Sequence, residues 1–292
     1  MGSTFSIVLY GRDRDRMEAA ARAGFEEVRR LDGLLSNYRP EGEWSLVNRL
    51  AAQHPVAVSP ELFRLLSVCL EQSRRTDGAF DITIGPLKRA WGFLRGTGSV
   101  PTAEEVARAR RHVGYQFVQL DAAGHSVRFD HPGVEIDPGG IGKGYAVDRM
   151  VEILRQHGVD TALVAGSASS VYGLGAPPTE LEGWRAEIRD SEHAGTFVAE
   201  VQLKDAALST SGSGEKCFWS DGKMYSHIID PRTGRPLQAI TQVSAVTPRA
   251  LDGEVWAKAC LLNGPRWAAE HKPDGFRILF SGKDSAAQPA WL

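Results

Sequence analysis

Several common signals are missing from this chain of 292 residues. Its three cysteines, Cys69, Cys217 and Cys260, are too widely spaced for a zinc or redox motif, so we expect structural thiols. No run of about 18 apolar residues is present, which excludes a membrane-spanning helix in this chain. The formal net charge of -2 gives no bulk attraction to nucleic acid, so we expect no nucleic-acid partner.

The chain also lacks a strict alternation of strands and helices, an internal repeat and a long linker. Predicted helices dominate its first half and predicted strands its second, which favours an α+β fold over a doubly wound sheet. Helix ends are marked by Ser59 as an N-cap and by a capping box from Thr102 to Glu105. Residues 79–94, AFDITIGPLKRAWGFL, are predicted to form a short extended piece and a turn.

A glycine-rich stretch lacks the spacing of the named nucleotide-binding motifs. Residues 135–154, EIDPGGIGKGYAVDRMVEIL, are predicted to end a strand at Glu135 and Asp137, to turn, and to start a helix that carries Lys143. Glycines let a ligand approach main-chain N–H groups, and a helix start with a lysine favours an anion such as a diphosphate. The spacing is neither G-x-x-x-x-G-K-[ST] nor G-x-G-x-x-G, so a tight turn with a surface lysine is the alternative interpretation.

Residues 207–237 combine hydroxyl side chains with a histidine. Ser209 and Thr210 precede a loop that leads to His227, and Asp230 follows three residues later. A histidine at the end of a strand with a carboxylate nearby is typical of a general base. The alternative is a hairpin in which Asp-Pro-Arg-Thr-Gly is ordinary turn chemistry.

Two further groups of residues each leave two interpretations open. Tyr38, Phe80 and Trp91 suit an aromatic wall for a planar ligand, and equally a hydrophobic core. Glu254 and Lys258 lie four residues apart in a predicted helix, which puts them on one side of it. That spacing is typical of a weak surface ion pair, and a buried functional pair is the alternative.

In this order, the segments resemble the ApbE-like family, the FAD:protein FMN transferases, over nearly the whole chain. The resemblance implies one domain over residues 1–292 with an α+β, T-fold-like architecture of mixed, largely antiparallel sheets and packed helices. It rests on the Met-Gly opening and on the motifs LSNYRPEGEWSLVN, GAFDITIGPLKRAWGF, IDPGGIGKGYAVD, LSTSG and HIIDPRTGRP.

The resemblance also implies an activity. The family binds FAD, usually with Mg²⁺, cleaves its diphosphate and attaches FMN through a phosphoester to a Thr or Ser hydroxyl of a target flavoprotein. By this resemblance His227 is the base that deprotonates the hydroxyl, and the metal ligands are the main-chain carbonyl of Gly140 and the side chain of Glu254. The residues expected around FAD are Met1, Tyr38, Ala79, Phe80, Asp81, Trp91, Gly139, Lys143, Asp148, Ser209, Thr210, His227, Ile228 and Thr233.

The sequence departs from the family pattern at the metal-binding helix. Counting back from Gly264, Glu254 stands where the family has an aspartate and Lys258 where it has a threonine. Glutamate is a hard oxygen donor, but lysine has three donors and no acceptor. The ammonium group can replace the metal electrostatically, pair with Glu254, or turn to solvent while waters complete the shell of a bound Mg²⁺. We expect FAD binding to depend little on Mg²⁺.

Two other functions stay open beside the transferase: a flavin-binding protein that does not transfer FMN, and a pyrophosphatase that splits FAD into FMN and AMP. Met1-Gly2-Ser3-Thr4 leads directly into the predicted strand FSIVLY, so no signal peptide is visible. The expected location is the bacterial cell envelope or periplasm where a signal has been removed, and the cytoplasm otherwise.

Overall fold

The computed structural model describes residues 3–94, 96, 98–191, 193, 195–282 and 291–292. Two units with dense internal contacts make up the chain. The first unit comprises Met1–Asp32, Ile141–Gly212 and Ile240–Leu292, and the second comprises Gly33–Gly140 and Ser213–Ala239. The chain therefore leaves the first unit and returns to it twice. The single domain over residues 1–292 stays a prediction.

The secondary structure of the described residues mixes helices with short strands. The helices are α1 (Arg14–Leu34), α2 (Glu43–Leu50), α3 (Pro60–Arg75), α4 (Gly85–Ala90), α5 (Ala103–Arg110), α6 (Gly142–Gln156) and α7 (Ala250–His271). The strands are β1 (Phe5–Leu9), β2 (Val56–Ala57), β3 (Val118–Asp121), β4 (Ser126–Phe129), β5 (Ala162–Gly166), β6 (Ser170–Leu174), β7 (Trp184–Arg189), β8 (Phe197–Leu203), β9 (Ala206–Gly212), β10 (Cys217–Ser220), β11 (Lys223–Ser226), β12 (Ile229–Asp230), β13 (Arg235–Pro236), β14 (Thr241–Thr247) and β15 (Arg277–Gly282).

The first unit is built on one six-stranded antiparallel sheet with the order β1-β5-β6-β9-β14-β15. Side chains alternate along β9, so Ala207 packs on one face of the sheet and Leu208 on the other. Helix α6 covers the first face with Val147, Met150 and Leu154. The hairpin of β7 and β8 covers the opposite face. This sheet confirms the expectation of largely antiparallel pairing.

Helices α6 and α7 approach each other at the level of their main chains. A Cβ atom placed on Gly144 would lie 2.6 Å from the carbonyl oxygen of Ala250, which no side chain tolerates. Glycine at this position therefore lets the start of α6 lie directly against the start of α7.

The second unit combines α2 to α5 with a three-stranded sheet of order β2-β4-β3 and two hairpins, β10–β11 and β12–β13. Leu87, Trp91, Ala109 and Ile229 form a buried cluster in this unit. The predicted helix ends are confirmed. The Ser59 hydroxyl accepts a hydrogen bond from the N–H of Leu62, and both bonds of the capping box from Thr102 to Glu105 are present.

Two local predictions are wrong. Within residues 79–94 the chain forms helix α4, because Pro86 suits a first helical turn and Leu87 is buried. The predicted strand that ends at Asp137 is absent. The Asn48 side chain bonds both the N–H and the carbonyl of Ile136, so a side chain takes the place of a strand partner.

Among the residues that the structure describes, none of the helices has the length and apolar character that a bilayer crossing requires.

Gly144→Ala should lower the free energy of unfolding by about 1–3 kcal/mol, the scale of overpacking a buried contact. Urea denaturation followed by circular dichroism measures this change. The matched control is Gly33→Ala near the end of α1, where the nearest atom to an added Cβ is 3.6 Å away, on the Arg39 side chain. Equal stability of the two variants would contradict the close approach of α6 and α7.

Candidate functional site

The first turn of α7 is anchored by side chains from two neighbouring elements. The Asp148 carboxylate, on α6, accepts hydrogen bonds from the main-chain N–H groups of Ala250 (2.7 Å) and Leu251 (3.0 Å). The Ser209 hydroxyl, on β9, donates to the carbonyl oxygen of Ala250 at 3.1 Å. A Cβ on Gly253 would lie 2.7 Å from the Ser209 oxygen, so β9 and α7 are also in close contact. Asp148 and Ser209, which are both predicted to lie near FAD, therefore fix the position of α7.

Two opposing effects act on the protonation of Asp148. Burial raises its pKa from 3.8 to about 7, while the two main-chain donors favour the ionised form. The N-terminus of a helix also favours a negative charge. The carboxylate is thus a specific partner for the start of α7.

Glu254 is a buried carboxylate on α7, with 3% of the residue exposed. Its Oε1 accepts a hydrogen bond from the hydroxyl of Ser170 (2.7 Å) and lies 3.3 Å from the Nζ atom of Lys143. Its Oε2 has no hydrogen-bond partner in the part of the chain that the structure describes. The interpretation of Glu254 as half of a surface ion pair is therefore wrong, and its ionic partner is Lys143.

Lys258 lies one helical turn after Glu254. Its ammonium group donates a hydrogen bond to the main-chain carbonyl of Glu254 at 3.1 Å, and its side chain is partly buried. The long side chain therefore folds back along α7 and places its charge in the same turn of the helix as the buried carboxylate.

The side chains around Glu254 do not suit Mg²⁺. This ion requires a near-octahedral shell of hard oxygen ligands. The first unit offers one buried carboxylate that faces the ammonium group of Lys143, with Lys258 one turn further on. Within the described ranges, no group of three or more His, Cys, Asp or Glu side chains could hold a metal ion. Gly140, the other predicted ligand, is the residue before Ile141, where the first unit resumes, and its metal contact stays a prediction.

Thr210, also predicted near FAD, follows Ser209 on β9. Its hydroxyl forms a hydrogen bond of 2.8 Å with the hydroxyl of Ser244 on the neighbouring strand β14. Its side chain is partly exposed, whereas Ser209 is buried. Of this pair, Thr210 is the more exposed residue.

The glycine-rich turn of the second unit is organised by the buried carboxylate of Asp137. Its Oδ1 accepts from the Lys88 ammonium group (2.6 Å) and from the N–H of Gly139 (2.9 Å), and its Oδ2 accepts from the Asn37 side chain (3.2 Å). A Cβ on Gly139 would lie 2.8 Å from both the Asp137 oxygen and the Lys88 nitrogen, so a larger residue would displace these side chains. The turn thus holds a lysine ammonium group directly beside its main chain.

Sequence reasoning missed Lys88, Asn37 and Ser170. Lys88 and Asn37 lie 49 and 100 positions from Asp137, and Ser170 lies 84 positions from Glu254. No local spacing reveals such partners. The sequence signal for the second site was Asp137, the acidic residue that ends the predicted strand before the glycines.

The predicted residues Ala79, Phe80 and Asp81 are buried in the second unit. The ring of Phe80 packs against the glycine-rich turn, since a Cβ on Gly140 would lie 3.1 Å from it. The Asp81 carboxylate accepts hydrogen bonds from the main chain and hydroxyl of Thr83 and from the N–H of Tyr115, and burial raises its pKa. Its side chain therefore stabilises the local loop.

The two aromatic candidates for a flavin wall have opposite surroundings. Trp91 is 6% exposed, donates its indole N–H to the carbonyl of Gly234 (2.9 Å) and lies 5.4 Å from the Tyr225 ring, centroid to centroid. Tyr38 is 62% exposed and donates its hydroxyl to the carbonyl of Leu94. Trp91 thus belongs to the core, while Tyr38 presents its ring at the surface of the second unit.

His227 is oriented by a main-chain carbonyl. Its Nδ1 lies 3.0 Å from the carbonyl oxygen of Lys216, which also accepts the main-chain N–H of His227. Because a carbonyl oxygen only accepts, Nδ1 carries the proton in the neutral ring and Nε2 carries the lone pair. The Asp230 carboxylate instead accepts from the main chain and guanidinium group of Arg232. Asp230 therefore takes part in the turn, as the alternative interpretation predicts, and the role of His227 as a base stays a prediction.

The remaining predicted residues near His227 differ in exposure. Ile228 is buried, and its carbonyl accepts the N–H of Leu237. Thr233 is exposed, and its hydroxyl accepts the N–H of Arg235 in the turn between β12 and β13. Met1 lies outside the described residues. The predicted FAD contacts thus fall into two sets, one in each unit, and each contact stays a prediction.

The sequence of this chain is similar to those of known proteins. Residues 1–280 match the family model described as the ApbE family. The chain belongs to the ApbE family. An FAD:protein FMN transferase of Klebsiella pneumoniae is 33% identical over 258 residues, which cover 88% of this chain and 78% of that protein.

Solved structures of ApbE proteins have the same fold. The ApbE protein of Thermotoga maritima matches with a TM-score of 0.87 and 28% identity, covering 96% of this chain and 91% of that one. The apo form of the flavinyl transferase ApbE of Pseudomonas stutzeri matches with a TM-score of 0.83 and 28% identity, covering 100% and 90%. The predicted α+β, ApbE-like fold is therefore confirmed.

Asp148→Ala should lower the free energy of unfolding by about 1–3 kcal/mol, because two buried main-chain donors lose their acceptor. Asp148→Asn keeps one carbonyl acceptor and should lose less. Chemical denaturation of both variants measures the difference. If the alanine variant were as stable as the wild type, Asp148 would not anchor the start of α7.

Proposed function

We propose that this ApbE-family protein is an FAD:protein FMN transferase. It cleaves the diphosphate of FAD and attaches FMN through a phosphoester to a Thr or Ser hydroxyl of a target flavoprotein. The observation that carries the proposal is the family match over residues 1–280, together with relatives that bear this name and align with most of the chain. The hydrogen bond between Nδ1 of His227 and the carbonyl of Lys216, which leaves Nε2 as the proton acceptor of the ring, supports the proposal.

The reaction requires a base for the acceptor. The hydroxyl oxygen of the Thr or Ser forms a bond to the phosphorus atom of the FMN half, and the bond from that phosphorus to the bridging oxygen breaks, so AMP leaves. A hydroxyl is a weak nucleophile until its proton is removed. The Nε2 atom of His227 takes this proton, since the carbonyl of Lys216 holds the proton of the ring on Nδ1.

Charge neutralisation is the second requirement. Phosphoryl transfer depends mainly on alignment and on stabilising the negative charge of the phosphate oxygens. Each unit holds a lysine ammonium group beside a buried carboxylate, Lys143 with Glu254 in the first and Lys88 with Asp137 in the second. These ion pairs position the ammonium groups. Mg²⁺ has no step in this proposal, because the side chains around Glu254 do not suit it.

The proposed partner is a flavoprotein with a Thr or Ser acceptor. The location of the protein, in the cell envelope or periplasm after removal of a signal or otherwise in the cytoplasm, stays a prediction.

Incubation with FAD and a target flavoprotein tests the proposal directly. We expect covalent FMN on the target, seen as a mass increase by mass spectrometry, and release of one AMP for each FMN attached. The control is the same target with its acceptor residue replaced by valine, which should gain no mass. Release of free FMN and AMP without target modification would identify a pyrophosphatase, and unchanged bound FAD would identify a flavin carrier.

His227→Ala should reduce FMN transfer by on the order of 10²-fold or more, the scale of losing a general base, with FAD affinity nearly unchanged. Transfer rates and flavin fluorescence titrations separate the two effects. His54→Ala is the control, because this exposed histidine of the second unit also places Nδ1 3.0 Å from a carbonyl, that of Pro55. Transfer by His227→Ala at the wild-type rate would place the base elsewhere.

A further inference from the structure

Lys143 and Lys258 bring two ammonium groups close to Glu254 on α7. The carboxylate of Glu254 is 3% exposed and the side chain of Lys143, 3.3 Å away, is 26% exposed. The ammonium group of Lys258 is held at the main-chain carbonyl of Glu254. Two ammonium groups thus lie close to one buried carboxylate of α7.

The position of Lys258 bears on the alternatives that its sequence left open. The Glu254 carboxylate already has an ionic partner in Lys143. Its hydrogen bond to the Glu254 carbonyl holds it within the cluster instead of directing it away from α7. A lysine anchored in this way keeps its charge at a fixed place, which favours an anion and disfavours a further cation.

We infer that Lys143 and Lys258 form a built-in cationic site, which neutralises the diphosphate of FAD so that FAD binding does not require Mg²⁺. The inference rests on the proposed function, since FAD is the ligand. Ammonium groups bind phosphate oxygens through charge-assisted hydrogen bonds. A divalent cation in the same place would be repelled by two partly buried ammonium groups.

The wild-type protein provides the first test, which needs no variant. FAD affinity is measured by flavin fluorescence, once with Mg²⁺ and once with EDTA. We expect the two dissociation constants to agree within about threefold. Calorimetric titration of MgCl₂ into the FAD-free protein should show no saturable binding at millimolar concentration.

Substitution of Lys258 provides the second test. Lys258→Met removes the charge but keeps the unbranched stem, and it should weaken FAD binding in EDTA by about tenfold, the scale of one charge-assisted hydrogen bond. Lys258→Thr introduces an oxygen ligand beside Glu254 and should bind FAD more tightly with Mg²⁺ than with EDTA. Lys204→Met, an exposed lysine of the same unit, is the control and should bind like the wild type.

The outcomes distinguish this inference from the function on which it rests. A wild-type dissociation constant that rises by about tenfold or more in EDTA would overturn the built-in site, and so would saturable Mg²⁺ binding to the FAD-free protein. In either case the proposed transferase function would stand. Absence of FAD binding under both conditions would contradict the proposed function itself.

Discussion

The organisation of the first unit depends on holding the carboxylate of Glu254 inside the protein. A buried charge is strongly destabilising unless an opposite charge and hydrogen bonds compensate it. Lys143 from α6 and Ser170 from β6 provide that compensation at a single oxygen. Lys143 can reach it because Gly144 lets α6 lie against the main chain of α7. A packing constraint between two helices thus determines the electrostatics of the site.

Carboxylates that bind the main chain recur in both units. Asp148 accepts two N–H groups at the start of α7, and Asp137 accepts the N–H of Gly139 in the glycine-rich turn. Each fixes a backbone segment close to predicted FAD contacts, so a substitution there changes stability as well as ligand binding. The mutational effects of such residues therefore require a stability measurement beside any binding measurement.

The orientation of His227 is set by a main-chain carbonyl. Asp230 is three residues away in sequence, yet Arg232 engages it through a tight turn. The carbonyl of Lys216 fixes the tautomer instead, and it does so without adding a negative charge next to the ring.

The sequence by itself determined those features that depend on neighbouring residues. Ser59 and the Thr102 to Glu105 box mark helix ends through bonds across a few positions, and the order of motifs such as IDPGGIGKGYAVD and HIIDPRTGRP identified the family. Only the tertiary structure decided that Glu254 pairs with Lys143, that Lys88 lies beside Gly139, and that Trp91 is core while Tyr38 is exposed. The physical reason is that a buried charge takes whichever partner the packing of helices and strands brings within a few ångströms, and the spacing of residues along the chain does not record that choice.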